Sequence, residues 1–172
     1  MKVEADSKGM KKGKTKSEIM EGLERCPMLA ELEVSYKSKK TREQRIPIRS
    51  PQDIDQFLRT IWNQKTLELV EEFYVICLNG SHEAIGWVRV STGGLNSTSV
   101  DPRIIFGVAL QTASTAIIVA HNHPSGSLEP SKQDRDVTKT LKEAGKLLNI
   151  KVLDHIILTK ESSFSFEEHG LM

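Results

Sequence analysis

Two periodicities divide the chain. In three stretches apolar residues recur every three or four positions, and in several shorter ones they alternate with polar residues or run together. Ile54, Phe57, Leu58 and Ile61 form the first helical face. Ser50 precedes it as an N-cap, Pro51 fits the first helical position and Asp53 sits in the first turn. Together these predict a helix from 51 to about 63. Asp101-Pro102 repeats the cap and proline ahead of Ile104, Ile105, Val108 and Ala109, predicting a second helix. Val137, Leu141, Ala144, Leu147 and Leu148 predict a long helix over 132–148, in which Gly145 is a mild local cost.

Strand patterns fill the intervals. Residues 72–78 (EFYVICL) and 84–90 predict two strands, with a turn starting at Asn79-Gly80. Residues 115–120 (TAIIVA) are wholly apolar, as expected of a strand covered on both faces. Residues 151–159 (KVLDHIILT) predict a last long strand, and Phe164-Ser165-Phe166 a short further piece. Upstream, 17–29 predicts a short helix broken at Pro27, 30–37 alternates as a strand, and a basic stretch runs from Lys37 to Arg49. Strands alternating with helices predict an α/β (α+β) fold, a mixed β-sheet flanked by helices.

Composition narrows the class. The 172 residues suit one domain, here 29–172, behind a basic tail over 1–28 that is disordered or partly helical. The net charge of +1 hides an asymmetry. Residues 1–50 carry 13 Lys and Arg against 8 Asp and Glu, while the remainder is acidic overall. Such a segment is either a solvated tail or a contact for DNA or an acidic partner. The two cysteines, Cys26 and Cys77, form no CxxC pair, which removes zinc-ribbon and thioredoxin-type chemistry. No apolar run reaches the length of a membrane span, and the N-terminal lysines are followed by no secretory apolar stretch; a cytoplasmic protein is the expectation.

The candidate chemistry sits at the end of the apolar strand, in Ala120-His121-Asn122-His123-Pro124. Positions i and i+2 of a strand face one way, so His121 and His123 can reach one metal ion. Pro124-Ser125-Gly126-Ser127 can turn the chain back. Ser131 then caps the long helix, and Asp134 lies in its first turn. Two imidazoles and a carboxylate leave a position open for water, the arrangement of a catalytic rather than a structural zinc. Taken singly, each piece is ordinary: a capping box, or a hydrogen-bonded histidine at a strand end.

Together these residues resemble the JAMM (MPN-plus) metalloproteases, whose pattern of His-x-His, seven residues, then Ser-x-x-Asp is filled by His121, His123, Ser131 and Asp134. The chain is identified as a member of the RadC-like group of that family on GGLNSTSVDPRIIF (93–106), AHNHPSG (120–126), LKEAGKLLNIKVLDHIIL (141–158) and SFEEHGLM (165–172). The likeness spans 50–172 best. Asp101-Pro102 stands where the group often has His-Pro, and the helix-hairpin-helix segment of longer members is not recognisable upstream.

The resemblance implies a fold related to cytidine deaminases and a zinc-dependent hydrolase with one Zn²⁺ per chain, held by His121, His123 and Asp134. It implies a peptide or protein substrate, cleaved at an amide or isopeptide bond. It also requires a glutamate on an earlier strand as general acid and base. Strand alternation leaves Glu71 and Glu72 both open, and the RadC-like pattern Glu-x-Phe assigns Glu71. Ser131 would donate a hydrogen bond to the developing oxyanion. Asp154 and His155 fall on opposite faces of one strand, and either can orient a metal-bound histidine or be a satisfied core residue.

Two other functions compete. The family's DNA-repair label and the basic segment favour a nucleic-acid-binding protein. A scaffold that has lost turnover is the other. The adjacent letters His-Asn-His at 121–123 cannot spread over the hairpin that an HNH nuclease needs. The His-x-Glu and Pro-Cys-x-x-Cys of zinc deaminases are absent.

Overall fold

The computed structural model describes residues 45–93 and 100–172. The short helix expected over 17–29, the strand over 30–37 and most of the basic segment lie outside the described residues. Strand β1 (Ile46–Pro47) is followed by α1 (Pro51–Ile61), β2 (Glu72–Leu78), β3 (Glu83–Thr92), α2 (Pro102–Gln111) and β4 (Ala116–Asn122). Helix α3 (Lys132–Leu148), β5 (Lys151–Leu158) and β6 (Ser163–Ser165) complete the described elements.

The strands form one sheet in the order β1-β3-β2-β4-β5-β6. Among the described residues only β4 and β5 pair in parallel, with α3 as their crossover; the other pairs are antiparallel. This is a mixed sheet in an α+β fold, as the alternation of patterns predicts. Strands β2 and β4 lie at its centre and every residue of both is buried, which accounts for their unbroken apolar runs. Alternation then splits their side chains between two cores. Tyr74, Ile76, Leu78, Ala116, Ile118 and Ala120 pack with Ile54, Phe57 and Leu58 of α1. Phe73, Val75, Cys77, Ile117 and Val119 pack with Ile105, Phe106 and Ala109 of α2 and Leu141 of α3.

The helix starts follow from local chemistry. At α1 the Ser50 hydroxyl accepts from the Asp53 N–H, and the Asp53 carboxylate accepts from the Ser50 N–H. Asp101 caps α2 by accepting from the Arg103 N–H. A second reciprocal box, Ser131 with Asp134, opens α3. That helix ends on Asn149, whose left-handed φ of 55° lets the chain turn straight into β5.

Three details differ from the sequence pattern. The β2–β3 connection spans Asn79 to His82, and its positive φ falls on His82 rather than Gly80; the Asn79 side chain closes it by accepting from the Ser81 and Glu83 N–H groups. Strand β4 runs on through His121 and Asn122, past the apolar segment, because β2 pairs with it as far as His121 and β5 as far as Asn122. Strand β1, inside the basic stretch, is too short to leave an alternation signal.

Candidate metal centre

The end of β4 brings the histidines together. His121 is its penultimate residue and Asn122 its last, and the ladder to β5 continues one step further through His123 N–H to Leu158 O at 3.0 Å. His121 and His123 therefore share a face, and their Nε2 atoms lie 2.9 Å apart. The loop after His123 returns through Gly126, whose φ of 79° suits glycine, to the start of α3. There the capping box fixes Asp134. Its Oδ1 is 3.2 Å from His121 Nε2 and its Oδ2 3.7 Å from His123 Nε2. One ligand atom from each residue falls within 4.8 Å of the others. His121 and Asp134 are buried and His123 is half-buried.

The protonation pattern suits a cation. His123 Nδ1 faces the Ser127 carbonyl at 2.7 Å, an acceptor only, so Nδ1 carries the proton and Nε2 offers a lone pair. Nε2 faces His121 Nε2 and the Asp134 carboxylate: in the neutral ring it is a ligand atom, and in the protonated ring it donates to the carboxylate. Burial alone would raise the Asp134 carboxyl; hydrogen bonds from His121 and His123, the His121 charge and Ser131 outweigh it and hold the group ionised, well below the usual range. The bond to Asp134 raises the His123 pKa, partial burial opposes that, and the Ser127 carbonyl and the charges of Asp134 and Glu71 assist it. Two imidazoles and an ionised carboxylate around one point are a donor set that fits zinc, iron or manganese.

The remaining candidates surround this cluster. Ser131 is exposed at the head of α3, its Oγ accepting from the Asp134 N–H at 3.1 Å. Glu72 is buried, and its carboxylate takes an Arg89 N–H at 2.6 Å and the Thr66 hydroxyl at 3.4 Å. Phe73 pairs with His121 across β2 and β4, and the two rings stack at 6.0 Å. Glu71 stands two positions before Phe73, half-buried, immediately before β2.

A comparison with family models matches residues 48–171 to the RadC-like JAB domain. The chain belongs to that family. The RadC-like domain is 41% identical over 149 residues to a UPF0758 protein of Rubrobacter xylanophilus, covering 86% of this chain and 63% of that one. A UPF0758 protein of Clostridium botulinum is 39% identical over 165 residues, 96% of this chain and 67% of its own. Another, of Flavobacterium johnsoniae, is 44% identical over 101 residues, 59% and 44% respectively. Across these three the RadC-like chain thus spans between 44% and 67% of the relative's length.

Three residues organise the RadC-like site that its motif does not include. His155 Nε2 meets His121 Nδ1 at 2.8 Å, and His155 Nδ1 meets Thr138 Oγ1 at 2.6 Å. Complete burial depresses the His155 pKa well below its ordinary value, so the ring is neutral. Asn122, on the opposite face from the two histidines, accepts from the Glu72 N–H at 2.7 Å and donates to Leu67 O at 2.7 Å and Val70 O at 2.9 Å. It thereby clasps the segment that leads into Glu71. The alternation of β4 alone signals that Asn122 faces away from His121 and His123, whereas nothing in the spacing of 138 and 155 marks them as neighbours. Among the described residues, no helix is long and apolar enough to cross a membrane.

Proposed function

We propose that this domain is a JAMM-type metal-dependent hydrolase acting on an amide or isopeptide bond, with zinc as its resident ion. The observation that carries the reading is the convergence of His121, His123 and Asp134 at the end of β4. The family match supports it independently. A divalent ion held there supplies Lewis acidity, lowering the pKa of water toward neutrality and polarising a carbonyl.

The chain's own residues do the rest. Glu71 accepts the proton of the attacking water and returns it to the leaving amine. Two features favour it over Glu72. Alternation from Phe73 sets Glu71 on the His121 face of the sheet, where its charge acts on His123. Glu72 belongs to the opposite face and is engaged by Arg89 and Thr66. Ser131 donates to the oxygen on which negative charge develops. The Ser131 N–H, which holds the Asp134 carboxylate, and the His123–Ser127 bond keep these two ligands fixed.

Elemental analysis of protein purified without added metal tests the site. About one zinc per chain is expected, and its loss in His123→Ala. Absence of metal from the wild type, even after incubation with zinc, defeats the reading. With metal established, Glu71→Gln is expected to keep the zinc and lose about 100-fold or more of peptide or isopeptide cleavage. Glu72→Gln retaining less activity than Glu71→Gln would reverse the assignment.

A further inference from the structure

Thr138 and His155 lie outside the metal ligands, yet they are joined to two of them by an unbroken chain of short hydrogen bonds. His121 Nδ1 meets His155 Nε2 at 2.8 Å, His155 Nδ1 meets Thr138 Oγ1 at 2.6 Å, and Thr138 Oγ1 meets the main-chain oxygen of Asp134 at 2.6 Å. All of it is shut away from solvent: His155 is fully buried and Thr138 is 2% exposed. Phe166 stacks on one side of His155 at 4.7 Å and Phe73 borders it at 5.6 Å, so the ring has no room to turn over.

The chain has a direction. A carbonyl oxygen only accepts, so the Thr138 hydroxyl donates to Asp134 O and has no second hydrogen to give. Its Oγ1 must then accept from His155 Nδ1–H. His155 Nε2 is left as an acceptor, and His121 Nδ1 must donate to it. Run the other way, the two oxygens of Thr138 and Asp134 would face each other at 2.6 Å with no proton between them.

We propose that His155 and Thr138 are positioning residues that lock His121 in its Nδ1–H tautomer, committing its Nε2 lone pair to the cation site. The proposal deepens the metal-site reading and rests on it. His123 is held in the same tautomer by the Ser127 carbonyl, so both imidazoles are preset by main-chain acceptors, one directly and one through two buried side chains.

The test uses the full chain, metal-free, and Thr138→Val, which keeps the shape and removes the hydroxyl. Imidazole ¹⁵N spectra are expected to show the His121 proton on Nδ1 in the wild type and on Nε2 in Thr138→Val. Titration with zinc alone is expected to show affinity weakened about 10- to 100-fold in Thr138→Val and restored in Thr138→Ser. A wild-type His121 protonated on Nε2 overturns the proposal. So does a folded Thr138→Val with unchanged tautomer and zinc affinity. Should the valine variant not fold, the wild-type spectrum and Thr138→Ser decide it. Wild-type protein that takes up no zinc defeats the metal-site reading, while the metal-free spectra still test the tautomer lock.

Discussion

Asn122 and Asp154 are both buried, and each holds a main-chain segment near the site through one side chain, so the swaps between acid and amide are informative in opposite directions. Asn122 uses its amide to donate to Leu67 O and Val70 O. Asn122→Asp keeps the shape but cannot donate, and puts a charge in the core beside buried Glu72. Each unpaired buried group costs about 1–3 kcal/mol, so a loss of about 2 kcal/mol or more is expected as a lower urea midpoint. Asp154 uses only its acceptors, toward the N–H groups of His155 and Glu167 and the Ser165 hydroxyl. Burial raises its pKa above the ordinary 3.8, with its hydrogen bonds opposing. The cost of ionising it is therefore absent below the unfolded pKa and grows as pH rises through the folded value. Asp154→Asn escapes that cost and keeps the two main-chain bonds, so its stability relative to wild type is expected to improve from acid to neutral pH and to stay within about 1 kcal/mol at neutrality. The motif residues at 121, 123, 131 and 134 are legible in sequence because short spacing ties them to one strand end and one helix start. Choosing His155 over Asp154 as the partner of His121 needs the register of β4 on β5, a contact across 34 positions.

At the scale of elements, the three helix starts are readable because each is set by residues within one turn. What sequence periodicity misses is what a helix meets elsewhere. Gly145 reads as a small local weakness inside α3. In the fold, a Cβ at that position would stand 2.4 Å from Ile150 O, 3.2 Å from Val152 Cγ2 and 3.4 Å from Phe106 Cζ. The Gly145 carbonyl also accepts from the Ile150 N–H, so this is where α3 presses on the start of β5. Gly145→Ala gains up to about 1 kcal/mol of helix propensity. It must also move main chain on the parallel side of the sheet, and overpacking of this kind costs about 1–3 kcal/mol. A net fall in Tm is expected in thermal unfolding; a rise would mean that the contact relaxes without strain. The mid-sheet strands are as legible as the helices, since full burial writes an apolar run. The order of the strands is only partly so: the turn at Asn79-Gly80 writes the β2–β3 pairing, whereas the pairing of β2 with β4 is encoded by no local pattern.

For the molecule as a whole, the ligands of the proposed ion come from the end of β4 and the head of α3, joined by a nine-residue connection from His123 to Ser131. An unfolded chain does not hold them together, so an ion bound there would bind the native state and stabilise it by mass action. At a free zinc concentration about 100 times Kd the gain is about 2.7 kcal/mol, or roughly 5–10 °C in Tm for a domain of this size. Chelator is expected to remove the shift reversibly, and His123→Ala to abolish it while unfolding near the temperature of the metal-free wild type, because His123 is on the solvent side of the cluster and carries little of the core. The comparison separates this site from general zinc binding. Ions held by the exposed carboxylates or by His82 and His169 would leave the same Tm shift in His123→Ala, whereas an ion shared between β4 and α3 would not.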